Sequence, residues 1–336
     1  MREPAFWRTD GGRGSGSLAR ALLAPLSWIY GWATQRRIRR ATPFDPGIPV
    51  ICVGNLTLGG TGKTPVTQTI LTRLAAMGYR AEALSRGYGG RLKGPVRVDP
   101  ASQTARDVGD EPLLLARTAP AWISRDRPAG AVAAAADGAQ VLVMDDGHQN
   151  PTLRKRLSFV VIDGVAGWGA NCVFPAGPLR EPVAKGLARA DAVIVMTPDA
   201  DTLPDYHGLG LADLEIPVLH AWLTPTGLPP RGQLVAFAGI GRPQKFFDAL
   251  QASGAALAET DQFADHHPYT KGDVKRLINL AKAHDAALIT TEKDWVRLPA
   301  RMQANVTAWP VRAEFANPAA LDGLLRDMMD AAAPGR

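Results

Sequence analysis

Two cysteines, Cys52 and Cys172, are all that the 336 residues contain. They can build neither a disulfide framework nor a structural zinc site, so a reducing compartment, the cytoplasm, is expected. Long apolar runs are missing as well. The apolar stretch 22–33 is too short to span a bilayer and is interrupted by Pro25. No small-residue cleavage site of a secretory signal precedes the pairs Arg36-Arg37 and Arg39-Arg40. There is no internal repeat and no low-complexity tract. Basic excess is also absent over most of the length: residues 1–44 carry eight arginines and two acids, leaving 30 bases and 30 acids beyond them. A nucleic-acid partner is therefore not expected.

The remaining composition, 46% apolar and 21% charged, is that of a folded soluble protein long enough for two domains. Segment 1–44 stands apart, with Trp28, Tyr30 and Trp32 beside a tight arginine cluster. That suits a segment lying in an anionic membrane surface; a helix packed on the protein with a solvated basic end is the other reading. After a Pro/Gly-bearing linker at 43–49, strand-length apolar runs occur at 50–53, 80–84, 141–144, 159–162, 192–196, 234–238 and 287–290. Helix-like stretches such as 65–77 and 243–253 lie between them, which predicts an α/β chain with a largely parallel sheet flanked by helices. The Pro/Gly-rich stretch LTPTGLPPRG, 223–232, marks the expected junction between a nucleotide-binding domain, 45–223, and a smaller C-terminal α/β domain, 224–336.

The stretch GNLTLGGTGKTP, 54–65, follows the first apolar run and opens a helix. Strand, glycine-rich turn and helix are the setting in which backbone N–H groups and a helix N-terminus cradle phosphates. Thr57, Gly59, Gly60, Thr61, Gly62, Lys63 and Thr64 are the candidate nucleotide-binding residues, Lys63 reaching the β/γ-phosphates and the Thr64 hydroxyl binding Mg²⁺. Thr57 stands where the usual phosphate-loop pattern has its first glycine, and Gly59-Gly60 keep the turn free of Cβ atoms. The stretch VLVMDDGHQN then places Asp145 and Asp146 at a strand's C-terminal end, where carboxylates can hold Mg²⁺. The fold expected is thus P-loop NTPase-like. TEKD at 291–294 has its lysine one place from an Asn-Lys-x-Asp base reader, so GTP is unsupported. Leu58 stands where partitioning ATPases carry a second lysine, which weakens a dimeric switch ATPase.

LSRGYGG (84–90), VGDEPLLLA (108–116), FPAGPLREP (174–182) and FADHHPYT (263–270) follow in order around the phosphate loop and MDDGHQNP (144–151). As a set they closely resemble the tetraacyldisaccharide 4'-kinase family, the lipid A 4'-kinases of Gram-negative bacteria, from about Leu18 to the C-terminal region. The resemblance implies ATP and Mg²⁺ as cofactors and, as acceptor, the 4'-hydroxyl of an acylated glucosamine disaccharide 1-phosphate. The product would be lipid IVA, made at the cytoplasmic face of the bacterial inner membrane by a peripheral or monotopic enzyme. The alternative function is a membrane-recruited P-loop ATPase switch without a lipid acceptor.

By spacing alone Asp110 reads as an N-cap of the helix that follows it. The resemblance instead implies that Asp110 is the acceptor-side base and that a histidine of Asp-His-His, His266 in preference to His267, pairs with it. Arg180 and Glu181 look like active-site residues, the arginine neutralising phosphoryl oxygens and the glutamate holding Mg²⁺ or orienting the arginine; an exposed ion pair is equally compatible with the sequence. Ser85 and Arg86 are candidates to meet the lipid's phosphate or sugars. His148 and Asn150 depart from the family's usual residues, and His148 is assigned to packing rather than catalysis.

Overall fold

The computed structural model describes residues 4–7 and 16–332. A short 3-10 turn, Ala5–Trp7, precedes helix α1 (Ser17–Arg40), which runs on through Pro25. The first lobe then lays down β1 (Val50–Gly54), α2 (Lys63–Ala76), β2 (Ala81–Ser85), β3 (Val96–Arg97), α3 (Ala105–Val108) and α4 (Asp110–Leu115). It continues with β4 (Ala121–Ile123), α5 (Arg127–Ala136), β5 (Val141–Asp145), β6 (Leu157–Asp163), α6 (Val183–Leu187), β7 (Ala192–Thr197) and β8 (Val218–Pro225). The second lobe holds β9 (Gln233–Ala238), α7 (Pro243–Ala252), β10 (Ala256–Gln262), α8 (Lys271–Ala283), β11 (Ala287–Thr291), α9 (Glu292–Trp295), α10 (Ala300–Gln303) and β12 (Val306–Trp309). Then come β13 (Val311–Phe315) and α11 (Pro318–Ala332).

All seven strand-length runs and both helix-like stretches form the elements expected of them. The main sheet has the order β13-β8-β7-β6-β1-β5-β2-β4-β3, with seven parallel strands and an antiparallel strand at each edge. Its central strands are buried at every position, as parallel strands must be when helices cover both faces. Alternation along each strand divides the core. Ile51, Val53, Val143, Phe159 and Ile194 meet α2, α4 and α11 on one face, while Val50, Cys52, Leu142 and Met144 meet α5 on the other. Helix α2 supplies Val66, Ile70 and Leu74 at four-residue spacing, one face of a 3.6-residue period.

The smaller sheet, β10-β9-β11-β12, is wholly parallel and has its own cores around Phe237 and Phe247. The Pro/Gly-rich stretch leads from β8 of the main sheet to β9 of the smaller one. Residues 224–336 do not stay together, however: β13 pairs with β8, and α11 buries Leu321 and Leu325 under the main sheet. The second lobe is thus inserted between β8 and β13, and its two connections are joined where Thr226 N–H donates to Pro310 O at 3.0 Å. The strands β3, β4, β8, β10, β12 and β13 lie outside the seven expected runs.

Helix α1 is turned the opposite way from an ordinary surface helix. Ser27, Gly31 and Thr34, on one face, are buried against the protein, while Leu18, Leu22, Leu26 and Ile29 face outward with Trp28 (83% exposed) and Trp32 (61%). Among the described residues no helix is long and apolar enough to cross a membrane.

If α11 is part of the first lobe's core, Leu325→Ala should lower stability by about 2–5 kcal/mol in urea unfolding followed by circular dichroism. A loss below about 0.5 kcal/mol would make α11 an appendage.

Candidate active site

Gly54 ends β1, and a Cβ there would lie 2.5 Å from that of His148, so only glycine lets the two strand ends close. The loop beyond is shaped from within and from outside. Fully buried Asn55 donates from Nδ2 to Thr57 O at 2.7 Å. Leu58 N–H donates to Pro178 O and Arg180 N–H to Leu56 O, both at 2.7 Å, so residues 178–180 run alongside the loop. Gly59 and Gly62 take left-handed conformations, φ 120° and 86°. Side chains at Gly59 or Gly60 would project into open space, and the buried Thr61 Oγ1 has no hydrogen-bond partner. From Thr57 to Thr64 the chain is one turn leading into α2, whose first N–H groups are free of intrahelical partners.

Parallel pairing sets the acids beside this loop, with Val53 of β1 in register with Asp145 of β5. Asp145 is buried and accepts from Thr67 Oγ1 at 3.3 Å; burial, with the negative charge of Glu111 next, pushes its carboxyl up to about 7 against the pull of Lys63. Asp146 sits in the left-handed region at φ 52°. It accepts from Arg180 Nη1 at 3.0 Å and has Lys63 Nζ at 3.7 Å. Burial works to raise its pKa, but Lys63, Arg180 and Arg127 outweigh it and hold the carboxyl far below the usual range. Lys63, Arg180, Asp145 and Asp146 are therefore brought together.

Arg127 is a residue that the sequence does not disclose. At the start of α5 it would pass for a surface arginine, yet it is buried, with Nη1 donating to Ser124 O and Nε without a partner. Burial, then the charge of exposed Arg86, lowers its pKa to about 10. Arg86 and Arg127 thus extend the cationic ground around Asp146.

The donor set suits a nucleotide-bound Mg²⁺, which takes one or two carboxylates and a hydroxyl and completes its shell with phosphate and water. Asp145, Asp146 and Thr64 can supply these, and Asp146 Oδ1 is a buried oxygen with no hydrogen bond. Glu181 does not belong to that set. Its carboxylate is fully buried, and both oxygens are taken by Arg189 Nη2 at 2.7 and 2.8 Å, by Gln149 Nε2 at 3.0 Å and by Gln35 Nε2 at 2.8 Å. It is neither an exposed ion pair nor a partner of Arg180. His148 is a packing residue, with Nδ1 at 3.1 Å from Ser158 Oγ, Nε2 at 2.9 Å from Gly186 O, and a pKa lowered to about 4 by burial and then by Lys155.

Asp110 and its partners meet where the two lobes touch. Asp110 is the first residue of α4 rather than its cap. Its Oδ2 lies 3.0 Å from His266 Nδ1 and accepts from Arg297 Nε at 2.7 Å, and both partners come from the second lobe. His267 instead binds Asp273, at the start of α8, at 3.0 Å, which distinguishes the two histidines. Burial would raise the pKa of Asp110, but His266, Lys293 and Arg297 together hold it far below the carboxylate range. His266 itself has a left-handed backbone, φ 56°, and stands edge-on to Tyr88 at 5.9 Å.

The TEKD stretch has a use unlike base reading. Lys293 reaches Glu111 at 3.0 Å, and fully buried Asp294 accepts from Gly239 N–H, Tyr269 Oη and Arg297. A Cβ placed on Gly241 would lie 3.7 Å from Gly60 N, so the second lobe also approaches the phosphate loop.

Comparison with known proteins places these features. The family model described as tetraacyldisaccharide-1-P 4'-kinase matches residues 19–330. The tetraacyldisaccharide 4'-kinase of Maricaulis maris is 68% identical over 98% of this chain and 97% of its own length. That of Hyphomonas neptunium is 53% identical, covering 97% of each. In fold, the chain matches the LpxK structure of Aquifex aeolicus, crystallised with ATP, with a TM-score of 0.73 at 24% identity over 93% of this chain and 99% of that one.

The depressed pKa of Asp110 means that its ion pairs add stability in full above about pH 5, stability that is lost as pH falls through and below the ordinary carboxylate value near 4. Asp110→Asn should therefore be less stable than the wild type in urea at pH 7, and the gap should narrow as pH falls from about 4 toward about 2. A gap that stays constant would mean that these cations do not hold the carboxylate.

Proposed function

The chain belongs to the tetraacyldisaccharide-1-phosphate 4'-kinase family, and from that premise we propose how its own residues carry out the reaction. The protein is an ATP-dependent kinase that phosphorylates the 4'-hydroxyl of tetraacyldisaccharide 1-phosphate, forming lipid IVA in lipid A biosynthesis. A switch ATPase without a lipid acceptor is not favoured, since the relatives at 68% and 53% identity bear a kinase's name.

The observation that carries the mechanism is the Asp110–His266 pair, contributed by two lobes and held by Arg297. A carboxylate paired with Lys293 and Arg297 is a poor proton acceptor. With Nδ1–H donating to Asp110, the imidazole keeps the lone pair of Nε2, and this nitrogen takes the proton from the 4'-hydroxyl as its oxygen bonds to the γ-phosphorus. The bond from that phosphorus to the β–γ bridging oxygen breaks, and ADP leaves. Asp110 is then the residue that orients and charges the imidazole, a division of labour opposite to the one implied by resemblance alone. Lys63 and Arg180 face the phosphoryl oxygens, and residues 57–64 hold the triphosphate by backbone N–H groups. Asp145, Asp146 and Thr64 would hold Mg²⁺, whose charge would offset that of the phosphates.

For the acceptor's approach we assign α1 to the membrane surface, at the cytoplasmic face. Leu18, Leu22, Trp28 and Trp32 face outward while small residues pack inward, and Arg36, Arg39 and Arg40 continue at the helix's end. Arg36 stacks over the Trp32 ring at 5.4 Å. Apolar burial and about 1 kcal/mol per basic residue near anionic lipid supply the affinity.

The test of the kinase mechanism is transfer of labelled γ-phosphate to a lipid from total lipid extract, with Mg²⁺ present. His266→Ala should lower kcat by roughly 10²–10⁴-fold and leave the KM for ATP close to wild type. Label released only as inorganic phosphate by the wild-type protein would refute the lipid acceptor, and an undiminished kcat in His266→Ala would refute the base.

Exchanging both exposed tryptophans, Trp28→Ser with Trp32→Ser, should weaken binding to anionic vesicles by about tenfold or more while the thermal midpoint stays put. Equal vesicle binding would leave α1 as a packed helix only.

A further inference from the structure

Glu181 is a fully buried carboxylate to which the reaction assigns no step, and its three partners come from three different places. Gln35 lies near the end of α1, Gln149 follows the acidic pair, and Arg189 follows α6. The same Gln149 nitrogen that binds Glu181 also donates to Asn55 O at 2.9 Å, and Asn55 donates onward to Thr57 O inside the phosphate loop. One residue back, Arg180 binds Asp146 by its side chain and Leu56 by its backbone. The loop before it is tied to α1 as well, since Ala176 N–H donates to Ser27 Oγ at 3.0 Å and Phe174 meets Tyr30 edge-on at 5.4 Å.

We propose that Glu181 and Gln149 are positioning residues for the phosphate loop, and that Gln35 makes the shape of that loop depend on how α1 is seated. Neutralising the buried charge needs only Arg189. The two glutamines do something else, because they connect that charge to the loop on one side and to the lipid-facing helix on the other. Without Gln35, Glu181 Oε2 keeps only Arg189 as a donor, and losing a donor to a buried carboxylate is costly. Displacing α1 therefore unbalances Glu181, and the strain is relieved through Gln149 and Asn55, where the phosphates bind. Coupling of this kind is reciprocal: bound nucleotide favours the seated helix. The enzyme would then hold its nucleotide best when α1 is seated on the 174–181 segment. This inference rests on the reading of residues 54–64 as the nucleotide loop.

The test uses the full chain in detergent micelles, titrated with the Mg²⁺ complex of AMP-PNP by calorimetry, with thermal melting to establish folding. Gln35→Glu sets a second carboxylate against Glu181 and should weaken binding roughly tenfold, and Gln35→Ala several-fold. The KM for ATP should rise in step, with kcat at saturating ATP within about twofold of wild type. The exchange variant Gln35→Glu with Glu181→Gln, which swaps amide and carboxylate, should recover much of the affinity. Wild-type affinity in both folded Gln35 variants overturns the coupling, and a folded exchange variant that recovers nothing overturns the direct pairing. If the exchange variant melts out, Gln35→Ala decides by itself. A wild-type chain that fails to bind Mg²⁺-AMP-PNP would overturn the nucleotide reading, and the coupling with it.

Discussion

The parallel pairing of β1 between β5 and β6 is the constraint on which the rest depends, because it fixes where two loops of opposite charge begin. Val53 is in register with Asp145 on one side and Phe159 on the other. All three strands are buried on both faces, so a slip of one residue would turn each apolar side chain to the wrong layer and strand backbone N–H groups without partners. With the register locked, the chain leaving β1 meets the acids leaving β5 at the strands' carboxyl ends. Glycine at position 54 is required at that meeting because His148 occupies the space a side chain would need.

Charge is distributed around this meeting point unevenly. Asp146 and Asp110 each lie among cations and stay ionised, the first beside Lys63, Arg180 and Arg127, the second beside Lys293 and Arg297 with the His266 imidazole hydrogen-bonded to it. Asp145 is the exception, since burial and Glu111 raise it to about 7. The second group is also structural: without the cations of the second lobe Asp110 would be a buried charge with no counterpart, so the same contacts hold the lobes together. The insertion of that lobe between β8 and β13, with its two connections hydrogen-bonded to each other, leaves such side-chain contacts to set how the lobes meet.

Helix α1 inverts the usual rule that large apolar residues face the protein. Its inner face is small, which lets it lie close on the 172–181 loop, and its outer face carries the apolar bulk. That arrangement is unfavourable in water and favourable at a lipid boundary, where exposed area of this size is covered. The residues 172–181 thus have α1 on one side and the phosphate loop on the other, and Glu181 fastens both.

What the sequence by itself determined is whatever depends on short-range pattern. Continuous apolar runs marked the buried parallel strands, glycines followed by Lys63-Thr64 marked the phosphate loop, and the order of motifs marked the family, because local spacing suffices for each. Edge strands β3, β10 and β13 were not legible, since half-exposed or very short strands carry no apolar run. Nor was the return of β13 and α11 to the first lobe, which depends on a pairing with β8 some 90 residues earlier in the chain. Only the tertiary structure decided which histidine meets Asp110, that Arg127 and Arg297 are buried cations of the site, and that Glu181 lies away from the metal position. Asp-His-His offers two imidazoles with the same local chemistry, and Arg-Glu reads alike as a metal site or an ion pair. A side chain's partner is settled by distance in space, and for these residues the partners lie on elements far apart in the chain.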